Sequence, residues 1–300
     1  MKELVALLQK DHIELRQDCP LAPYSSFRVG GKASLVAFPN SVEQLVSSLR
    51  HAKDCGVRAE VFGNASNVVF PDGEHHGLVV FTGGCRKIAL CDGRIEAECG
   101  ASLARLASFA ASNGLGGAEF LHGIPGTVGG AIFMNAGAFE GEISQLCVRS
   151  VYYDRSEDRI GILKGDAHAF GKRTSIFQQE RDWILLKTEL ALTPGEGEEI
   201  RARMHAFMER RRSTQPLEYP SAGSVFKRPE GHFAGKLIQD CGLKGYSIGG
   251  AQVSEKHAGF IINTGGATSA DVLALTKHIQ DVVLAQAGVL LECEIRFIES

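Results

Sequence analysis

One stretch, GIPGTVGGAIFMNAGAFEGE from Gly123 to Glu142, limits what this chain can fold into more than any other. Glycines stand at 123, 126, 129, 130, 137 and 141, Pro125 interrupts them, and no positive charge occurs. Glycine is costly to order and lets another group lie directly against the backbone. Two readings therefore compete for the segment. It makes a tight corner, or its main chain approaches a ligand, most often one carrying phosphate. Asn135, set between apolar neighbours, belongs to the same stretch.

Bulk properties narrow the choice. A chain of 300 residues with 44% hydrophobic and 22% charged residues has room for more than one core. A net charge of −3 argues against a nucleic-acid binder. The eight cysteines contain no C-x-x-C pair and read as reduced, mostly buried thiols, which points to a reducing compartment and a cytoplasmic location. The histidines show no zinc spacing, so no metal is expected. The opening MKELVALLQKDHIELRQD carries charge throughout, and no apolar run is long enough for a membrane helix. No export signal or membrane association is expected.

Periodicity orders the rest. Ser41 and Gln44 form a capping-box pattern before the stripe Val42, Leu45, Val46, Leu49 and Ala52, and a strand over 59–62 leads into GNASN. Asp92-Gly93 is a hairpin turn. Ser102 caps a helix that Gly114 stops, and VRSVYYD and WILLKTELAL read as strands. TPGEGEE looks like a linker into a helix with Ile200, Met204, Phe207 and Met208 on its buried stripe. Arg210, Arg211 and Arg212 at its end suit the macrodipole or an anion site. A last helix begins at Thr268 and Asp271 and stops at Gly288. In VLLECEIRFIES, Leu291, Cys293, Ile295 and Phe297 alternate with Glu292, Glu294 and Arg296, as one strand.

The common nucleotide motifs fail. GLGGAE has Glu119 where a dinucleotide fingerprint needs glycine, and GHFAGKL is one residue short of a phosphate loop and lacks its hydroxyl. A dinucleotide would need another scaffold.

Several blocks, in order, supply one. SSFRVGGKA (25–33), FGNASNVV (62–69), the glycine stretch, RRRSTQP (210–216), PSAGSVFKRP (220–229), AGKLIQDCGLKGYSIGGAQVSEKHAGFIIN (234–263) and LECEIRF (291–297) together resemble the UDP-N-acetylenolpyruvoylglucosamine reductase (MurB) family. The resemblance spans nearly everything from Ser25 onward, and the C-terminal blocks separate it from the broader vanillyl-alcohol-oxidase flavoproteins. It implies an α+β fold: a two-lobed FAD-binding module of the vanillyl-alcohol-oxidase type over 1–84 and 85–197, and a C-terminal α+β substrate-binding domain over 198–300. It also implies noncovalent FAD, NADPH as reductant, and reduction of UDP-N-acetylglucosamine enolpyruvate to UDP-N-acetylmuramate, a peptidoglycan precursor. A monomer is expected. The short span between RTSIF and WILLKTEL matches members without a tyrosine-bearing loop insertion.

The same resemblance assigns residues. The flavin cradle is expected from Gly63, Asn64, Ala65, Ser66 and Asn67, and from Gly123, Ile124, Pro125, Gly126, Thr127, Gly129, Gly130, Asn135, Ala136 and Gly137. Main-chain dipoles would neutralise the pyrophosphate there, which accounts for the missing lysines. Ala65 stands where the family commonly has glycine. Ser224 matches the proton donor, Glu294 the catalytic glutamate and Arg173 an active-site arginine. Lys227, Gln252, Glu255 and Lys256 match substrate contacts. From the alternation alone, Glu292 and Glu294 are equivalent. Lys172 replaces a usual tyrosine and Arg228 a common asparagine. An oxidase of the same fold and a non-catalytic binder of nucleotide sugars are the competing readings. The SAGSVFK and SEKHAGF blocks oppose the first, and Ser224, Arg173 and Glu294 oppose the second.

Overall fold

A computed structural model describes residues 1–139 and 141–299. Glu140 of the glycine stretch and the terminal Ser300 lie outside the described residues. The chain divides into two compact units. Unit 1 comprises Met1–Gln17, Leu35–Asn64 and Gly77–Arg210; unit 2 comprises Asp18–Ser34, Ala65–His76 and Arg211–Ser300. No helix among the described residues is long and apolar enough to cross a membrane.

Along the chain come α1 (Lys2–Lys10), β1 (Glu14–Pro20), β2 (Lys32–Phe38), α2 (Val42–Asp54), β3 (Ala59–Phe62), the two-residue β4 (Val68–Val69) and β5 (Glu74–Phe81). β3 pairs in parallel with β5, from Ala59 opposite Leu78 to Phe62 opposite Phe81, in a sheet ordered β1-β2-β5-β3. α2 buries Leu45, Leu49 and Ala52 of the expected stripe, while Val42 and Val46 are half-buried. Ser41 caps it by accepting from Gln44 N. Gln44 answers on Asn40 N at 2.8 Å rather than on Ser41 itself, so the expected box is displaced by one residue.

β6 (Ile88–Cys91) and β7 (Arg94–Glu98) form the hairpin foreseen at Asp92-Gly93. Both turn residues are left-handed, with φ of 50° and 76°, the conformation that matches strand twist in a two-residue loop. α3 (Leu103–Ser112) starts on the Ser102 cap, β8 (Leu115–Gly116) follows, and α4 (Val128–Met134) begins inside the glycine stretch. β9 (Gly137–Ala138) and β10 (Gly141–Glu142) pair with each other. β11 (Cys147–Asp154), β12 (Arg159–Lys164) and β13 (Trp183–Leu190) complete an antiparallel sheet ordered β12-β11-β13-β7-β6. The presumed linker is partly structured, since β14 (Thr193–Pro194) pairs with β8 before α5 (Gly197–Thr214). Ile200 and Met204 of α5 are buried in the core of unit 1, Phe207 packs against it, and Met208 is only half-buried.

Unit 2 has its own core, built from Phe27, Val29, Val69 and residues from Ala222 to Ile295. β15 (Ser221–Ser224), α6 (Ala234–Asp240), β16 (Ser247–Ile248), β17 (Ala251–Val253), β18 (Phe260–Asn263), α7 (Ser269–Ala287) and β19 (Arg296–Phe297) follow in order. The sheet runs β15-β18-β17-β16. Ser26 Oγ donates to Ser221 O at 2.7 Å and Asn263 Nδ2 to Phe27 O at 3.2 Å, which gives SSFRVGG a structural task. The last segment departs from the expected single strand. Cys293 makes a bridge with Phe226, the chain bends at Ile295, and only Arg296–Phe297 continues, in parallel with β4. The burial alternation was visible in sequence; the change of partner midway was not.

Of the cysteines, Cys19, Cys85 and Cys99 are buried, Cys55, Cys147, Cys241 and Cys293 half-buried and Cys91 exposed, all as free thiols.

α7 shows how closely the helix starts are satisfied. Thr268 and Asp271 form a reciprocal capping box, and Gly288 ends the helix at φ 68°. Asp72 adds a second clamp, accepting from Ser269 N at 2.6 Å and Ala270 N at 3.0 Å. A carboxylate on two orphan N–H groups at a helix start is charge-assisted. Asp72→Ala is expected to lower unfolding free energy by roughly 1–2 kcal/mol, read as a lower urea midpoint. An unchanged midpoint would show that water replaces the clamp without loss.

Candidate active site

In unit 1 the two glycine-rich arms meet. A methyl group at Gly63 would press on the Thr127 hydroxyl and lie 3.0 Å from its Cγ2. Asn64 Nδ2 reaches Pro125 O at 3.5 Å across 61 positions of chain. Thr127 is buried and caps α4, accepting from Gly130 N at 3.4 Å. Gly123 lies in a turn, and Ile124 is half-buried against the core, its N–H on Leu121 O. Gly126 accepts from Leu103 N at 3.1 Å, Val128 N donates to Ala101 O at 2.9 Å, and Gly129 N to Cys99 O at 2.7 Å.

Those bonds change how the segment can serve a ligand. The N–H groups of Val128, Gly129, Gly130 and Ala131 all have acceptors within the protein. The start of α4 is therefore not the open donor row that its glycines suggested. Open donors lie elsewhere: the N–H groups of Asn64, Ala65, Ser66 and Asn67, and of Gly126 and Thr127, reach no acceptor among the described residues. Ala65 is left-handed at φ 44°, the kind of residue that turns successive N–H groups toward one point. Its methyl is buried.

Gly129 and Gly130 separate the two readings of the opening stretch. A Cβ at Gly129 would sit 3.1 Å from Cys99 O, so the corner itself crowds any side chain there. A Cβ at Gly130 would meet only Thr127 Oγ1, at 3.8 Å, and the residue is exposed. Glycine inside a helix costs about 1 kcal/mol relative to alanine. Among the described residues, nothing fills the space where a side chain at Gly130 would stand. This fits a large planar or phosphate-bearing group such as a flavin nucleotide.

α4 ends on Asn135, left-handed at φ 44° and buried. Its side chain is committed inside the protein: Nδ2 donates to Glu142 Oε2 and Gly171 O, both at 3.0 Å, and Oδ1 accepts from Ser144 N at 3.2 Å. Ala136 N returns to Ala131 O. Gly137 is bare because a Cβ would strike Gly141 O and Glu142 and come within 3.3 Å of Arg173 Nη1. Arg173 occupies the tip of a tight turn closed by Gly171 and Thr174, at φ 58°. Its guanidinium donates to Asn135 O at 3.3 Å and Gly137 O at 3.1 Å, so the carbonyls that end α4 aim it. At the end of α5, Arg210 stacks 5.2 Å over Phe139.

Unit 2 holds the remaining candidates. β15 and β18 slip by one residue between Ser221 and Ser224, where Gly223 adopts φ 80°. That bulge exposes Ser224 at the end of the strand. The next residue, Val225, is buried and accepts from Glu294 N at 2.7 Å. Glu294 is thereby tied through its main chain to the residue that follows Ser224. Asn67 brackets Glu294, its Nδ2 donating to Glu294 O at 3.1 Å and its own carbonyl accepting from Arg296 N at 3.0 Å.

The rival carboxylate is otherwise engaged. Glu292 forms an ion pair with Lys227 and also accepts Lys227 N at 2.8 Å through its carbonyl. Gln252 Nε2 ties the β16–β17 hairpin, donating to Ser247 Oγ at 3.0 Å and Gly245 O at 3.2 Å. Glu255 is exposed and lies against Gly245. Lys256 Nζ donates to Arg212 O at 2.7 Å, on the last turn of α5, with Glu218 at 3.6 Å. Arg228 stacks on Phe233, 3.9 Å from the ring centroid. Arg211 Nε is buried with no acceptor among the described residues, which a purely solvated role for the arginine run does not explain. Sequence reasoning missed the main chain of Val225, because a carbonyl that accepts from Glu294 N leaves no trace in residue type.

Residues 33–153 match a family profile described as an FAD binding domain. Residues 215–298 match the profile described as UDP-N-acetylenolpyruvoylglucosamine reductase, C-terminal domain. A Caldicellulosiruptor bescii protein named UDP-N-acetylenolpyruvoylglucosamine reductase is 45% identical, covering 99% of this chain and 94% of its own. One of the same name from Levilactobacillus brevis is 46% identical, covering 95% and 93%. Among solved structures, the reductase MurB from Thermus caldophilus superposes with a TM-score of 0.81 at 30% identity, covering 96% of this chain and 99% of that one.

Gly130→Val is expected to give folded protein with at least tenfold less bound flavin, measured as the ratio of flavin to protein absorbance. Full flavin occupancy would show that Gly130 faces no cofactor.

Proposed function

The chain belongs to the UDP-N-acetylenolpyruvoylglucosamine reductase family, an FAD-dependent oxidoreductase family, and from that premise we propose that it reduces the enolpyruvyl ether of UDP-N-acetylglucosamine enolpyruvate with NADPH. The product is UDP-N-acetylmuramate, used for peptidoglycan. In this reading the enzyme works in the cytoplasm as a monomer, with FAD-binding lobes over 1–84 and 85–197 and a substrate domain over 198–300. The observation that carries the chemistry is the shared Val225, which joins the exposed Ser224 to Glu294.

Noncovalently bound FAD supplies hydride transfer, from NADPH to C3 of the enolpyruvyl group. The open N–H groups of Asn64, Gly126 and Thr127 in unit 1 would hold its phosphates, and Gly130 would let it approach. Hydride at C3 leaves negative charge on C2, spread into the neighbouring carboxylate. Arg173, aimed by two carbonyls, is suited to that carboxylate. Ser224 donates the proton to C2. A serine hydroxyl is a weak acid, so this transfer requires the strong base that forms at C2 and a fixed donor geometry. The Gly223 bulge supplies the geometry, and Glu294 is the neighbouring group able to orient the hydroxyl and hold a proton for the site. Lys227, Gln252, Glu255 and Lys256 are assigned to substrate binding. The bonds they already make imply that Gln252 and Lys256 act chiefly by shaping their loops.

The two half-reactions test the roles separately. NADPH oxidation needs no proton donor to C2, whereas reduction of the enolpyruvyl group does. Ser224→Ala is expected to leave flavin reduction by NADPH intact and to slow reoxidation by the enolpyruvyl sugar by about 10²–10⁴-fold in stopped-flow absorbance. Glu294→Gln should show the same asymmetry and Glu292→Gln should not. Equal slowing of both halves by Ser224→Ala would make the serine structural. A crippled Glu292→Gln would assign the wrong carboxylate.

A further inference from the structure

The bond between Val225 and Glu294 is one link in a longer line within unit 2. Val225 N donates to Gly259 O at 2.9 Å, and Gly259 N donates to His257 Nδ1 at 3.1 Å. Read from the far end, the line is His257, Gly259, Val225, Glu294 and Asn67. An Nδ1 that accepts an N–H belongs to a neutral imidazole with its proton on Nε2.

The ring is built into place. A Cβ at Gly259 would lie 3.0 Å from His257 Cε1, and one at Gly235 in α6 would lie 3.2 Å from the same atom. Two glycines from different elements thus make room for one imidazole, Gly235 at a helical position where glycine is unfavourable. Ser254 Oγ fixes the turn by accepting from Lys256 N and His257 N, both at 3.2 Å, and Phe260 meets the ring edge-on at 5.0 Å.

We propose that His257 is a positioning residue whose neutral Nδ1 holds Ser224 and Glu294 in register through the backbone of Gly259 and Val225, and whose protonation releases both. A protonated Nδ1 repels the Gly259 N–H that it accepts when neutral. The line then loses its anchor at the 257–259 turn, one residue from Ser224 in the pairing of β15 with β18. Burial favours the neutral form most strongly, outweighing a backbone hydrogen bond that favours the charged ring, and Lys244 adds to it by opposing a second positive charge, so the imidazole titrates below its ordinary range. On α6, Lys236 pairs with Asp240, while Glu255 and Lys256 flank the ring on its own turn. The sign follows: the anchored form persists above the ordinary imidazole pKa and is lost as pH falls through the lowered one.

This inference rests on the reading of Ser224 and Glu294 as reacting groups, so its test includes a readout independent of the reaction. In the FAD-loaded full-length enzyme, amide exchange protection at Gly259, Val225 and Glu294 is expected to fall together, at least tenfold, as the His257 ring titrates by NMR. His257→Asn places a carbonyl oxygen near the position of Nδ1 and cannot titrate. It should keep that protection flat with pH and remove the matching acid limb from flavin reoxidation by the enolpyruvyl sugar. His257→Leu should be slow in that half-reaction at every pH. Flat protection in the unsubstituted enzyme, or an unchanged acid limb in His257→Asn, overturns the proposal. Failure of the underlying reading looks different: Ser224→Ala and Glu294→Gln would reoxidise at the normal rate while the three amides still followed His257.

Discussion

The close packing of Gly63 against Thr127 is the constraint on which the cradle in unit 1 depends. Thr127 caps α4, and α4 ends on Asn135, whose carbonyl aims Arg173. Gly63 follows β3 and opens the loop whose N–H groups remain available. A side chain at residue 63 would push apart two segments that share nothing in sequence except small residues. The spare backbone is used for protein–protein contact in one place and left bare in another. Gly137 is bare because Gly141 and Glu142 stand too near and Gly129 is crowded by Cys99, whereas Gly130 faces outward with little to avoid.

Much of this was legible in the chain. The stripe of α2, the Asp92-Gly93 hairpin, and the Thr268, Asp271 and Gly288 boundaries of α7 follow from local chemistry, and the structure repeats them. The resemblance of the ordered blocks carried the family, and the relatives bear it out. What the sequence hid was non-local. The alternation of Leu291 to Phe297 is the same whether the segment pairs with one partner or two, so the switch from Val225 to Asn67 at Glu294 could not be read from it. Glu292 and Glu294 looked equivalent for the same reason. Glu292 pairs with Lys227, and that pairing is set by a strand register invisible in composition. The donors expected at the start of α4 are another example. Whether an N–H is open depends on carbonyls such as Ala101 and Cys99, which any residue type carries.

In unit 2 the polar side chains of interest are organised by backbone. Ser224 stands on a bulge that Gly223 permits, and Glu294 hangs from the carbonyl next to it. Such an arrangement is stiff, because moving either group breaks a main-chain bond in a buried strand. It also makes the pair sensitive to the far end of the line, where an imidazole is the terminal acceptor.

The most direct test of the cradle is the coupling between its two arms. In a double-mutant cycle, the flavin dissociation constant would be measured on apoprotein carrying Gly63→Ala, Thr127→Ala, and both changes. If the arms act as one unit, Gly63→Ala weakens FAD binding strongly beside threonine and much less beside alanine, giving a coupling energy of about 1 kcal/mol or more. Effects that add within about 0.5 kcal/mol would contradict the account, because the glycine and the threonine would then serve the cofactor independently.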